Sequence, residues 1–134
     1  MDTTDLSREL RALESAVMSM LLAGEHPALR TLRVQYAKAR IKKIQETGAG
    51  FFIEFQFDGD VPRLAERFFS FGDVEAEIEG LAHGAGFVLH VRDGVLNTLE
   101  GYSYDEPWPL QLGTYKLNYS GGGRNLEALH TRLQ

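Results

Sequence analysis

Hydrophobic positions near the start of the chain recur at helical spacing. Leu6, Leu10, Leu13, Val17, Met20 and Leu21 follow one another every three or four residues, so residues 5–23 are predicted to be an amphipathic helix. Thr4 or Asp5 can cap its first N–H groups, and Gly24 and Pro27 end it. Arg8, Glu9, Arg11 and Glu14 are assigned to its wet face. Leu29, Leu32 and Tyr36 predict a short helix over 28–36, followed by a strand over about 38–46 and a break at Thr47-Gly48-Ala49-Gly50.

The period then changes from 3.6 to 2. FFIEFQF at 51–57 places Phe51, Ile53, Phe55 and Phe57 on one face and Phe52, Glu54 and Gln56 on the other. Four large apolar side chains on one face need a cover, and the N-terminal helix is the obvious one. Val61, Leu64, Ala65 and Phe68 suggest one or two helical turns, with an extended end at Phe68–Phe71. Val74–Gly80 alternates strictly, with Glu75, Glu77 and Glu79 on one side. Residues 86–104 read as a hairpin about Asp93-Gly94, the dipeptide suited to a turn with two positive φ angles. A simple two-residue turn puts Phe87, Leu89, Val91, Leu96, Thr98, Glu100 and Tyr102 on one face; a bulge near the turn would exchange the faces. Thr114–Tyr119 is a last candidate strand, Gly121–Gly123 a flexible joint, and Leu126, Leu129 and Leu133 allow a short C-terminal helix.

Short connections and the lack of βαβ alternation predict one α+β domain over residues 1–134. Its sheet is mostly antiparallel, with about five strands and the N-terminal helix packed on one face.

Composition adds exclusions. The 134 residues contain no cysteine, which removes disulfides and thiolate chemistry. No apolar run reaches the roughly 20 residues of a membrane span, and the polar, acidic start does not resemble a signal peptide. The expected location is cytoplasmic, without membrane association.

Charge is unevenly placed around a net of −5. Residues 30–43 carry Arg30, Arg33, Lys38, Arg40, Lys42 and Lys43 and no acid. Residues 73–106 carry eight acids against Arg92 alone, a net of −7. The commoner arrangement would bring the blocks together as cross-strand pairs. The other would leave an acidic surface that attracts a basic protein. An acidic chain is a poor binder of nucleic acid, which demands surplus Lys and Arg.

No catalytic constellation emerges. The four histidines lack zinc spacing, no serine sits in GxSxG, and the glycine-rich stretches are neither Walker loops nor dinucleotide fingerprints. The reading leans against an enzyme and expects no cofactor, no metal and no catalytic residue. The binding residues it selects are Glu75, Glu77, Glu79, Glu100, Tyr102, Tyr104 and Trp108. The carboxylates attract cations, and Tyr and Trp bury much area while keeping a polar tip. For Trp108 the competing role is closure of one end of the core. The alternative function is a small-molecule binder or enzyme with a pocket between sheet and helix, around Glu100 and Tyr102. A second copy of the chain is a further candidate partner.

The stretch Gly84–Pro109 carries Asp93-Gly94, Leu-Glu-Gly-Tyr-Ser-Tyr at 99–104, and Trp108-Pro109. It resembles a group of small uncharacterised bacterial proteins that share an apolar strand, Asp/Asn-Gly, Leu, two residues, Leu-Glu, x-Tyr-x-Tyr and then Trp/Pro-Pro. Some of these are similar to immunity proteins of bacterial toxin systems. The resemblance implies an α+β domain, a bacterial origin and an immunity-type interaction. Glu100, Tyr102 and Tyr104 match its motif.

Overall fold

The computed structural model describes residues 3–65, 67–109 and 111–120. Among these residues two helices, α1 (Thr3–Leu21) and α2 (Pro27–Lys38), precede seven strands. These are β1 (Arg40–Thr47), β2 (Gly50–Gln56), β3 (Phe69–Phe71), β4 (Val74–Ile78), β5 (Ala85–Arg92), β6 (Val95–Ser103) and β7 (Tyr115–Tyr119). The fold is α+β, with more strands than the sequence reading expects. The glycine joint and C-terminal helix expected over 121–134 lie outside the described residues. Among the described residues no helix is long and apolar enough to cross a membrane.

All strand pairs are antiparallel, in the order β1-β2-β6-β5-β4-β7, with β3 also paired to β5. Phe51, Ile53 and Phe55 of β2 share a core with Leu10, Leu13, Val17, Met18 and Leu21 of α1 and with Leu29 and Leu32 of α2. Each such side chain contributes on the order of 1.5–3 kcal/mol when fully buried. Pro27, expected only to end the first helix, opens the second, where its missing N–H has no cost. His26 caps that helix, its Nδ1 accepting from the Ala28 N–H at 3.0 Å. Arg33 ties the corner between the helices by donating to the carbonyls of Leu22 and Gly24.

Three expectations are corrected. Glu14 is not on the wet face. It is only 4% exposed, because positions 10, 14, 18 and 21 form one stripe toward the core. The segment after Pro62 forms no helical turn over the described residues 61–65 and 67–68. Its backbone is engaged elsewhere: Leu64 N–H donates to Gly94 O (3.0 Å), Gly94 N–H donates to Arg67 O (3.2 Å), and Pro62 O accepts from Gln35 (2.7 Å).

The third correction is the hairpin register. Asp93 and Gly94 form the turn with φ of 54° and 77°. Arg92 faces Val95 and Val91 faces Leu96, but His90 faces Thr98 and not Asn97. Asn97 is the extra residue, and its side chain accepts from the Thr98 hydroxyl at 2.7 Å. Leu99 therefore points into the core, while Thr98, Glu100 and Tyr102 move to the outward face.

Candidate functional site

Both helices cover one face of the sheet, leaving the other outward. Directly opposed residues share a face, so the pairing defines the outward rows. One row runs Lys43, Glu54, Thr98, His90, Ser70; the next contains Gln45, Phe52, Glu100 and Val88. The third contains Tyr102, Gly86, Glu75 and Asn118, and Glu77 faces Lys116 beyond it.

At the β4–β7 end of the sheet lies an open groove of about 720 Å³. Glu75, Glu77, Glu79, His83, Tyr104 and Lys116 are among its lining residues. Alternation along β4 brings Glu75 and Glu77 to it, and Glu79 joins them from the turn that follows, where its N–H donates to Thr114 O at 3.0 Å. Thr114 donates its hydroxyl to Glu79 (3.1 Å) and Ser120 to Glu75 (3.4 Å). Among the described residues no Lys or Arg lies within 4.0 Å of these carboxylates, so their charge is uncompensated by direct ion pairs.

The wall of the groove is tied by Glu106. Its two carboxylate oxygens accept from the N–H groups of Ala82 (2.8 Å) and His83 (2.9 Å). These bonds favour the charged form and hold the Glu106 carboxyl below its ordinary value. Glu106 therefore serves the loop before β5.

Tyr102 and Tyr104 pack edge to face with centroids 5.4 Å apart. Gly86 makes room for them: a Cβ there would lie 2.5 Å from the Tyr102 hydroxyl and 2.8 Å from that of Tyr104. Burial, first, and the hydrogen bond with Tyr104 push the Tyr102 phenol up to about 12, aided by negative charge at Glu100 and Glu75. Tyr102 therefore stays a neutral hydrogen-bonding group.

Glu100 is further along β6 and engages His90, whose Nε2 is 3.1 Å from Oε1. The His90 Nδ1 contacts Ser70 Oγ at 2.7 Å. An ionised carboxylate only accepts, so Nε2 carries the proton; in the neutral ring Nδ1 then accepts from the Ser70 hydroxyl. This chain orients three side chains on the outward face, across β3, β5 and β6.

The seven selected residues thus divide. Glu75, Glu77, Glu79 and Tyr104 share the groove, with Tyr102 beside it and Glu100 one step farther along the same face. Trp108 does not join them. It is buried, packed edge to face on Phe51 at 5.4 Å, and its backbone N–H donates to Gly48 O at 2.8 Å. It closes one end of the core. The alternative pocket around Glu100 and Tyr102 is likewise misplaced between sheet and helix, since both residues lie on the outward face.

The cations of β1 and the glutamates of β4 also fail to meet. β1, with Arg40, Lys42 and Lys43, occupies the sheet edge opposite β4 and β7. Arg40 instead pairs with Asp58 (2.8 Å) and Arg30 with Glu25 (2.9 Å). At ~4.8 Å per strand, β1 and β4 are about 19 Å apart, roughly two Debye lengths at physiological salt. The lysines and arginine of β1 therefore leave the field of the β4 glutamates largely uncancelled.

On the helix side, sequence reasoning misses Glu14 and Gln35. Tyr36 donates its hydroxyl to Glu14 Oε2 at 2.6 Å. Burial raises the Glu14 carboxyl above 4.5, opposed by that hydrogen bond and by Arg11. Burial and the same hydrogen bond push the Tyr36 phenol up. The signal for Glu14 was its spacing of four from Leu10 and from Met18.

A carboxyl with a raised value in the folded state holds its proton more tightly there than in the unfolded chain. That contribution to stability is present at low pH and is lost as pH rises through the raised value. Glu14→Leu removes the buried carboxylate, and the Tyr36 hydroxyl it served lines an open cavity where water can take over, so the variant is expected to be more stable than wild type at pH 7 by about 1 kcal/mol. The gain should shrink as the pH falls toward 4.5, the ordinary value. Urea denaturation of both proteins at several pH values checks this.

Among the described residues no group of three or more His, Asp or Glu side chains is placed to hold a metal ion. Comparison of the chain with protein-family models, with curated proteins and with solved structures finds no match.

Proposed function

We propose that this chain is a small bacterial cytoplasmic interaction protein of immunity type, which binds a basic protein through the acidic end of its sheet. The observation that carries this reading is the groove holding Glu75, Glu77 and Glu79 without a direct basic partner among the described residues, beside Tyr104. Uncompensated carboxylates steer a cationic surface into encounter. Tyr102 and Tyr104 add contact area at small entropic cost, as aromatic anchors do in binding hot spots. The resemblance of Gly84–Pro109 to proteins similar to immunity proteins points the same way.

The test compares wild type with Glu75→Lys/Glu77→Lys/Glu79→Lys as immobilised baits in an extract of a native bacterial host. The expected result is a basic protein retained by wild type, bound at least about 100-fold more weakly by the triple variant, a difference of ~2.7 kcal/mol. Its association rate with wild type should fall as salt is raised. Retention of the same proteins by both baits, or of no basic protein, overturns the reading. All three positions lie at the groove, so circular dichroism of the triple variant should match wild type.

A further inference from the structure

On the helix side of the molecule, α1, α2 and the β1–β2 edge border an open cavity of about 300 Å³, lined by Glu14, Tyr36, Ala39, Arg40, Ile41 and Phe55. We propose that this cavity binds a small organic ammonium ion carrying an apolar group. Glu14 is nearly sealed from solvent at 4% exposure, on a stripe otherwise made of Leu, Val and Met. A carboxylate has about four acceptor positions; Tyr36 is seen to occupy one, at Oε2. The N–H groups of an ammonium match those that remain.

The surrounding walls match the rest of such a ligand. Tyr36 and Phe55, which meet edge to face with centroids 6.1 Å apart and planes at 89°, both line the cavity and give an aryl group two rings to pack against. Ile41 and Ala39 supply apolar surface. The cation at the rim, Arg40, is solvent-exposed and already faces the Asp58 carboxylate at 2.8 Å, whereas the Glu14 carboxylate is buried. Arg11 and Arg40 act on Glu14 from the solvent side, where water screens them, so the buried carboxylate sets the sign the ligand meets inside. A volume near 300 Å³ is at the small end of ligand pockets and suits an aryl- or alkylammonium ion. The site is on the covered face of the sheet, away from the acidic groove, and its failure would leave the reading of the groove intact.

The experiment is a ¹H–¹⁵N NMR titration with benzylammonium chloride, and with benzyl alcohol as the neutral analogue of similar shape. Wild type is expected to show saturable shifts at Glu14, Tyr36, Ile41 and Phe55 by about 10 mM, a concentration that saturates even a ~1 mM site. Benzyl alcohol should bind at least about tenfold more weakly, a gap that reports the charge. Glu14→Gln and Glu14→Leu should each lose benzylammonium binding by a similar factor. The leucine variant, expected to fold with added stability, keeps a loss of binding from being ascribed to unfolding. Absence of saturable shifts, equal binding of the alcohol, or unaltered binding in both variants overturns the proposal.

Discussion

Gln35→Leu is expected to lower stability by about 3 kcal/mol, although leucine is close to glutamine in size and the position is completely buried. The loss comes from backbone groups left behind. The Gln35 Nε2 donates to Pro62 O at 2.7 Å and to Gly94 O at 2.9 Å, and its Oε1 accepts from Leu96 N–H at 2.9 Å. Gly94 O keeps a bond from Leu64 N–H. Leu96 N–H is left as a buried orphan, which costs about 1–3 kcal/mol, while Pro62 O, only part-buried, turns to water and its lost bond adds about 1 kcal/mol. The expected total raises the unfolded fraction by about two orders of magnitude. A lower urea midpoint with an unchanged slope is the expected signature. Faster proteolysis in the segment between Pro62 and Arg67 should accompany it, because Gln35 links that segment to the hairpin turn. An unchanged midpoint would show that Gln35 is not the link.

That residue also shows where sequence reading stops. Gln35 belongs to the covered face of α2, as its spacing of three from Leu32 allows, but its partners are 27 to 61 positions away. No local pattern encodes such bonds. Features governed by near neighbours were legible: the stripe of Leu10, Leu13, Val17 and Leu21, the alternation of Phe51, Ile53 and Phe55, and the turn at Asp93-Gly94. The alternation of Glu75, Glu77 and Glu79 likewise foretold a shared side, and they line one groove. What a charge does once it enters a stripe was not legible, and Glu14 was assigned to water because carboxylates usually are. The single extra residue at Asn97 exchanged the faces beyond it and carried Glu100 to the outward side. The pairing of β2 with β6, and the separation of the β1 cations from the β4 glutamates, follow from strand order, which depends on contacts distant in the chain. Trp108 could have faced outward or inward on pattern alone; the ring of Phe51 decides it.

Gly101→Ala should destabilise the protein by about 2–3 kcal/mol, as overpacked core positions do. The sign is informative, because glycine inside a strand is ordinarily worse than alanine by roughly 0.5–1 kcal/mol. Here the added Cβ would lie 2.3 Å from Phe51 Cε2 and 2.5 Å from Cζ. The ring has nowhere to retreat. It is 1% exposed and held between Phe87, at a centroid distance of 6.4 Å, and Trp108, at 5.4 Å. Displacing it disturbs Trp108 and, through the adjoining residues, the Glu106 carboxylate that ties Ala82 and His83 beside the acidic groove. Hydrogen exchange at the Ala82 and His83 amides should therefore accelerate in Gly101→Ala. Phe51→Leu removes the aromatic edge that meets the new methyl group, so Gly101→Ala/Phe51→Leu should lose less stability than the two single changes added together. A coupling of about 1 kcal/mol or more in that double-mutant cycle identifies the ring contact as the cause. Strict additivity would assign the role of Gly101 to something other than the space it leaves for Phe51.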